Sequence, residues 1–352
     1  MPKKVIYLII IALLSLLIWM YRSSKFEYND TILMLRHYNY FRKTLNKPIN
    51  VCNESPFLVI IVTSYVGHVE LRSAHRRAMP ADHLVSLNIT RIFLLARIPI
   101  SERYITQEAI NDESKTFNDI LQGSFYENYR NLTYKHLMGL EWASRECHKT
   151  SYILKVDDDT VFNLNRTYEY LKTLPKEGRS DLIMGYILNN TLPRRNKMNK
   201  WYVTYEEYPR SIYPPYLSGW YYIISPKVAS LICDEAMYNS FFWIDDIFVT
   251  GLLIESLGLK LQHLPNNYWL EYYEQLECCL RDMINKFIKC DYVIGPNGGR
   301  NNLIVEFNEG YTNCEKWRNC TVRSKDLKKQ CILSGDRTIF SDGHAEVDYI
   351  KM

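Results

Sequence analysis

Apolar and polar positions along the chain fall into blocks that predict alternating strands and helices. PFLVIIVTS (56–64) is an unbroken apolar, β-branched run, the pattern of a strand covered on both faces. Similar runs recur at RIFLLA (91–96), SYILKV (151–156), DLIMGY (181–186) and GWYYIIS (219–225). Between 131 and 147 the period changes, and Tyr134, Leu137, Met138 and Trp142 fall on one helical face. In FFWIDDIFVTGLLIESLG (241–258), Val249, Leu252, Leu253 and Leu257 mark another helical face, with Gly258 as its stop. Strands alternating with helices predict an α/β fold, a mostly parallel doubly wound sheet, over residues 56–275.

The two ends break this rhythm. After a tail of residues 1–4, residues 5–21 (VIYLIIIALLSLLIWMY) carry no charge and are near the short limit for a membrane span. No small-residue cleavage site follows, so the segment reads as an uncleaved anchor rather than a removed signal. Residues 22–55 are polar and aperiodic and read as a stem. Residues 276–352 hold six of the nine cysteines and look like a disulfide-stapled extension, with one thiol of the odd count left over. Sequons at Asn29, Asn53, Asn88, Asn131, Asn165, Asn189 and Asn319 place everything after the anchor in a secretory lumen. A net charge of +4 with no basic stripe argues against nucleic acid. The 28 tyrosines suit a sugar-binding cleft and equally an ordinary core.

Chemistry concentrates in two acidic groups. Asp157, Asp158 and Asp159 end an apolar strand, and on open parallel sheets ligands bind beyond such carboxyl ends. Adjacent carboxylates repel unless a cation joins them, and oxygen-only ligands point to Mg²⁺ or Mn²⁺. Asp245 and Asp246 occupy the first turn of a helix behind Phe241, Phe242, Trp243 and Ile244. Acids at a helix N-terminus are ordinary, but a carboxylate against an apolar wall is also a candidate general base. Arg194, Arg195, Lys197 and Lys200 read as a solvated face.

Five blocks in order, FLVIIVTS with LRSAHRRAM, FNDILQGSFYENYRNLTYKHLMGLEWASREC, LKVDDDTVF, KWYVTYEEYPRSIYPPYLSG and Asp245-Asp246-Ile247, resemble the β-1,3-galactosyltransferase / β-1,3-N-acetylglucosaminyltransferase family of type II Golgi enzymes. Departures are Ala78-Met79 for the usual Thr-Trp, Ser124 and Glu127 at two acidic positions, and Trp220 where glycine is usual. The resemblance implies a GT-A-like fold that binds a UDP-sugar through a divalent metal, with Mn²⁺ (or Mg²⁺) held by Asp159 and Asp157. It implies donor contacts from Asp158, Arg72, Arg76 and Lys135, acceptor contacts from Trp201, Tyr216, Gly219 and Asp245, and Asp246 as the base of an inverting transfer to a glycan on protein or lipid. His263 or His344 would complete the metal site, and assembly as a homodimer stays open. Two rivals are a catalytically silent transferase-like chaperone or lectin, and a haloacid-dehalogenase-type phosphatase suggested by Asp157-x-Asp159-x-Val161. The phosphatase motif belongs on a first strand, whereas this one follows about a hundred residues of αβ sequence.

Overall fold

The computed structural model describes residues 13–22, 40–316 and 319–331. Helix α1 (residues 13–22) exposes its apolar side chains, and among the described residues no helix is long and apolar enough to cross a membrane. The rest of the expected anchor, half of the stem (23–39), Asn29 and His344 lie outside the described residues.

From residue 40 the elements run β1 (Thr44–Asn46), β2 (Leu58–Thr63), α2 (Val69–Ala78), α3 (Ala81–Ser86), β3 (Ile89–Arg97), α4 (Gln107–Phe117) and β4 (Ile120–Tyr126). Then come α5 (Leu132–Glu146), β5 (Tyr152–Asp157), β6 (Thr160–Phe162), α6 (Leu164–Thr173), β7 (Ile183–Leu188), β8 (Tyr216–Ile224) and α7 (Pro226–Glu235). A π-helical stretch (Ile247–Leu252) leads into α8 (Leu253–Ser256), followed by β9 (Gln262–His263), α9 (Tyr273–Lys286), β10 (Ile294–Pro296), α10 (Leu303–Lys316) and α11 (Leu327–Gln330).

One eight-stranded sheet has the order β1-β4-β3-β2-β5-β8-β7-β9. Its centre, β4-β3-β2-β5, is parallel as expected. The GWYYIIS strand departs from the expected parallel pattern, because β8 runs antiparallel to both β5 and β7. Composition marks a strand as buried on both faces but not its direction.

Burial on both faces is literal in β2. Val59 and Ile61 join a core with Tyr134, Leu137 and Trp142 of α5, while Leu58, Ile60 and Val62 join a second core on the opposite face. That second core takes in Leu276, Leu280 and Met283 of α9 and Leu303, Phe307 and Tyr311 of α10. The residues expected to form an extension therefore pack as one layer against the sheet, and α9 runs across the expected boundary at 275. Strand β10 pairs with β6 as a small antiparallel ladder, Gly295 opposite Val161. Disulfides link Cys52–Cys147, Cys278–Cys331, Cys279–Cys290 and Cys314–Cys320, and the leftover thiol is the buried Cys233.

Candidate active site

The parallel register brings Thr63 of β2 beside Asp157 of β5, so both strands end at one level. The turn that follows is fixed by its backbone. Asp158 N–H donates to the Thr63 carbonyl (3.0 Å), His75 Nε2–H donates to the Asp158 carbonyl (3.0 Å), and Asn297 N–H donates to the Asp159 carbonyl (3.0 Å). Burial carries His75 down to about 4, which keeps it neutral and suited to that bond.

The three aspartates have different surroundings. Asp158 is buried and meets His68 Nδ1 at 2.9 Å, a bond that raises His68 above its ordinary value. Asp157 is half-buried and takes the ammonium of Lys155 at 2.6 Å. Asp159 is exposed and is pushed up to about 6, first by the desolvating protein around it and then by the charges of Asp157 and Asp158.

Lys155 joins the two acidic groups. It is buried inside β5, and its Nζ also donates to the Gly219 carbonyl of β8 at 2.5 Å. Gly219 in turn abuts Asp246: a Cβ here would lie 3.3 Å from the Asp246 Cβ and 3.7 Å from Lys155 Nζ. A Cβ at 219 would crowd the Asp246 side chain by a few tenths of an ångström while only touching Lys155, so glycine favours the close approach of the acid. This places Gly219 in the site as backbone.

The two aspartates of the second group also differ in their surroundings. His136 sits within α5, which is buried on every side from Thr133 to Ser144. Burial holds the His136 imidazole below its ordinary value. Neutral His136 donates from Nδ1 to Asp245 Oδ2 (3.0 Å) and accepts at Nε2 from the Tyr222 hydroxyl (2.5 Å), whose own proton burial retains. Burial opposes ionisation of Asp245, but the His136 hydrogen bond and Lys155 carry it below the usual carboxylate range. Asp246 is pushed up to about 7, chiefly by burial and then by the charge of Asp245. Its Oδ1 accepts the N–H of Ile247 (2.9 Å), which caps the π-helical stretch.

Asp246 opens onto a cleft of about 390 Å³ lined by Trp201, Tyr216, Ser218 and Trp220 among others. Trp201 and Tyr216 thus share a cavity with the base candidate. Trp201 donates its indole N–H to Tyr129 (2.8 Å). Asp245 faces His136 instead, so its placement is that of a support for Asp246 rather than an acceptor contact.

Three expected donor contacts have protein partners instead. Arg72 is fully buried and binds Glu113 through both Nε and Nη2 (2.8 Å each) and the Tyr65 carbonyl (2.8 Å). Arg76 is held by Asp119 and Glu113. Lys135 donates to the Ser64 carbonyl (2.7 Å) and to Glu127 (2.5 Å). Arg72 and Lys135 brace the loop after β2, and Arg76 ties α2 to Glu113 and Asp119, since buried cations must be paired. Arg195 is likewise no solvated charge: it gathers the carbonyls of Val203, Thr204, Tyr208 and Arg210. His263 is exposed on β9 and pairs alongside Gly185, so it does not stand with the aspartates.

The residues that hold the acids in place, His68, His136 and Lys155, were not singled out by sequence. Lys155 left a signal, since a lysine in the middle of SYILKV needs a buried carboxylate.

Among the described residues no three His, Cys, Asp or Glu side chains gather as a metal cage. The fit to a hard cation is nonetheless chemical: Asp157 and Asp159 supply carboxylate oxygens, and Asp159 is crowded by the charges of Asp157 and Asp158, which a cation would relieve. Beside them the buried Thr63 hydroxyl has no partner within the described residues. Such a cation would take part of its shell from water or phosphate, which suits Mg²⁺ and Mn²⁺.

The Galactosyltransferase family model matches residues 71–265, more than half of the chain and both acidic groups. The chain belongs to the galactosyltransferase family. Human β-1,3-galactosyltransferase 1 is 33% identical over 237 residues, covering 66% of this chain and 71% of the relative. Mouse β-1,3-galactosyltransferase 2 is 31% identical over 239 residues, 66% of this chain and 56% of that longer protein. A solved mannosyltransferase from Pyrobaculum calidifontis aligns at 12% identity and a TM-score of 0.33 over 68% of this chain and 63% of its own, too remote to bear on the site. The family match stops before α9, so the layer that supplies β10 lies beyond the shared part.

Proposed function

We propose that this galactosyltransferase-family protein is an inverting, metal-dependent β-1,3-glycosyltransferase with a GT-A-like site, moving galactose or an N-acetylhexosamine from a UDP-sugar to a glycan hydroxyl. The observation that carries the reading is Asp246: a carboxyl raised to about 7 in a cleft, linked through Gly219 and Lys155 to the acidic strand end. A base with a pKa near the working pH takes a proton without being permanently protonated.

In this mechanism the unprotonated Asp246 accepts the proton of the acceptor hydroxyl. The hydroxyl oxygen bonds to the anomeric carbon as the bond to the β-phosphate oxygen breaks, and that electron pair leaves with UDP. Attack from the opposite face inverts the centre, so one base and one step suffice. Asp157 and Asp159 would hold the divalent cation, which offsets the charge of the leaving diphosphate when bound. His136, through Asp245, fixes the neighbouring charge that raises Asp246.

The chain would act from the lumenal face of a Golgi membrane, anchored by residues 5–21. Support comes from four disulfides and from sequons on exposed residues Asn53, Asn88, Asn189 and Asn319. Asn131 and Asn165 are half-buried, with the Asn131 amide donating to the Tyr126 carbonyl. Intact acid groups in both positions favour turnover over a silent sugar-binding role.

The test is to give the full chain in detergent UDP-galactose, UDP-N-acetylglucosamine or UDP-N-acetylgalactosamine with Mn²⁺ and a panel of glycosides. Release of UDP together with a β-1,3-linked product is expected from one of them. Hydrolysis of an aryl phosphate without sugar transfer would overturn the reading.

A further inference from the structure

Trp220 follows Gly219 on β8, half-buried, and its ring lines the cleft that also holds Asp246. It does not stand alone. Its centroid lies 4.8 Å from that of Trp269, tilted by 33°, and Trp269 stacks on Tyr186 at 5.3 Å with planes 14° apart. The Tyr186 hydroxyl contacts Glu271 at 3.4 Å, and Trp269 bridges Ile294 at the start of β10. A ring braced from behind by two others loses little freedom when something lies against its open face. The polar groups beside it, Ser218, Asn190 and Thr191, are hydroxyls and an amide, the donors and acceptors that suit sugar hydroxyls.

We propose that Trp220 is a specificity-determining platform: the acceptor sugar lies with its apolar C–H face on this indole and turns one hydroxyl toward Asp246. This deepens the transferase reading above and rests on it. The volume of about 390 Å³ is near the low end of ligand cavities, so the cleft takes a terminal sugar and little beyond it. The acceptor class is therefore a non-reducing terminal pyranoside, unbranched at the ring that enters.

The experiment compares wild type, Trp220→Phe and Trp220→Gly as full chains, with p-nitrophenyl β-galactoside and β-N-acetylglucosaminide as acceptors. Acceptor-free hydrolysis of the UDP-sugar is followed in parallel. Loss of an aromatic stack should raise the acceptor KM of Trp220→Gly about tenfold. Trp220→Phe, which keeps a flat ring, should stay within about threefold. Donor KM should not move in either variant. An unchanged acceptor KM in Trp220→Gly, or a shift in donor KM in its place, overturns the platform. Saturation-transfer NMR of the same glycosides with UDP present makes the test independent of turnover. Glycoside binding lost in Trp220→Gly, in a chain whose wild type neither hydrolyses nor transfers, would sink the transferase reading and leave the platform standing.

Discussion

Two groups of aspartates, three at the strand end and two at the helix start, are linked through Lys155 and Gly219, and each gives one acid to a histidine. At the strand end His68 holds Asp158, and at the helix start His136 holds Asp245. Of the remaining acids, Asp157 takes the Lys155 ammonium, while Asp159 and Asp246 are raised, to about 6 and about 7. The surroundings then separate their uses. Asp159 is exposed beside the half-buried Asp157, a setting for a cation, whereas Asp246 sits against Ile244 and Ile247, a setting for a proton. Identical side chains acquire different chemistry from solvent access and from which neighbour is neutralised.

The comparison is broken most sharply at Asp246. Asp246→Asn keeps shape and the bond from Ile247 N–H but cannot take a proton, so kcat should fall by about 10²–10⁴ with donor affinity unchanged. Single-turnover rates and UDP-sugar binding check this together; a matching loss of donor binding would move Asp246 to the cation side. At the other acid, Asp159→Asn should weaken Mn²⁺-dependent UDP binding by at least about 10–100-fold, the scale for disturbing a metal site. Titration calorimetry with and without chelator reads that effect, and equal UDP affinity in both conditions would remove the cation from the strand end.

The pH dependence sharpens the contrast further. The acid limb of kcat/KM should have its midpoint near about 7, because Asp246 must be unprotonated. Asp245→Asn removes the neighbouring charge and should move that midpoint down, while leaving a working base. A midpoint that ignores position 245 would place the titrating group elsewhere.

The smallest effect is on stability, and its sign is informative. Asp246 has an ordinary value of 3.8 and a native value of about 7, so the folded state holds more protons between them. Stability is therefore lost as pH rises through that window. Asp246→Asn should raise Tm at pH 8 by about 2–4 °C, the equivalent of about 1 kcal/mol in a domain of some 150–250 residues, and give no gain at pH 4. Thermal melts at the two pH values decide it.

How far the sequence is readable follows from the same physics. The runs of 56–64 and 91–96 are legible because strands covered on both faces leave no polar alternation. β4 was not marked, because Gln122 and Gly123 interrupt its apolar pattern. The buried Gln122 amide is satisfied across the sheet by Ala96, Gln107 and Asn46, partners that sequence order does not bring together. The acids at 157–159 and 245–246 stood out as clustered charge. Arg72, Arg76 and Lys135 entered through the family resemblance, and Glu113, Asp119 and Glu127 pair with them, carboxylates distant in sequence from the arginines. A charge is easy to see in a sequence; whether it is already paired is a tertiary fact.

The ladder between β6 and β10 also sets an order in time. Asp159 is followed at once by β6, yet the partner strand and the Asn297 N–H that holds the Asp159 carbonyl come more than 130 residues later. During synthesis the acidic turn therefore emerges long before the segment that fixes it, and the centre stays unfinished until residues past 297 have left the ribosome. A chain stopped short would carry every acid of the site and still lack the strand that holds the turn. Turnover in this protein is thus a report that the chain has been made at least through Asn297.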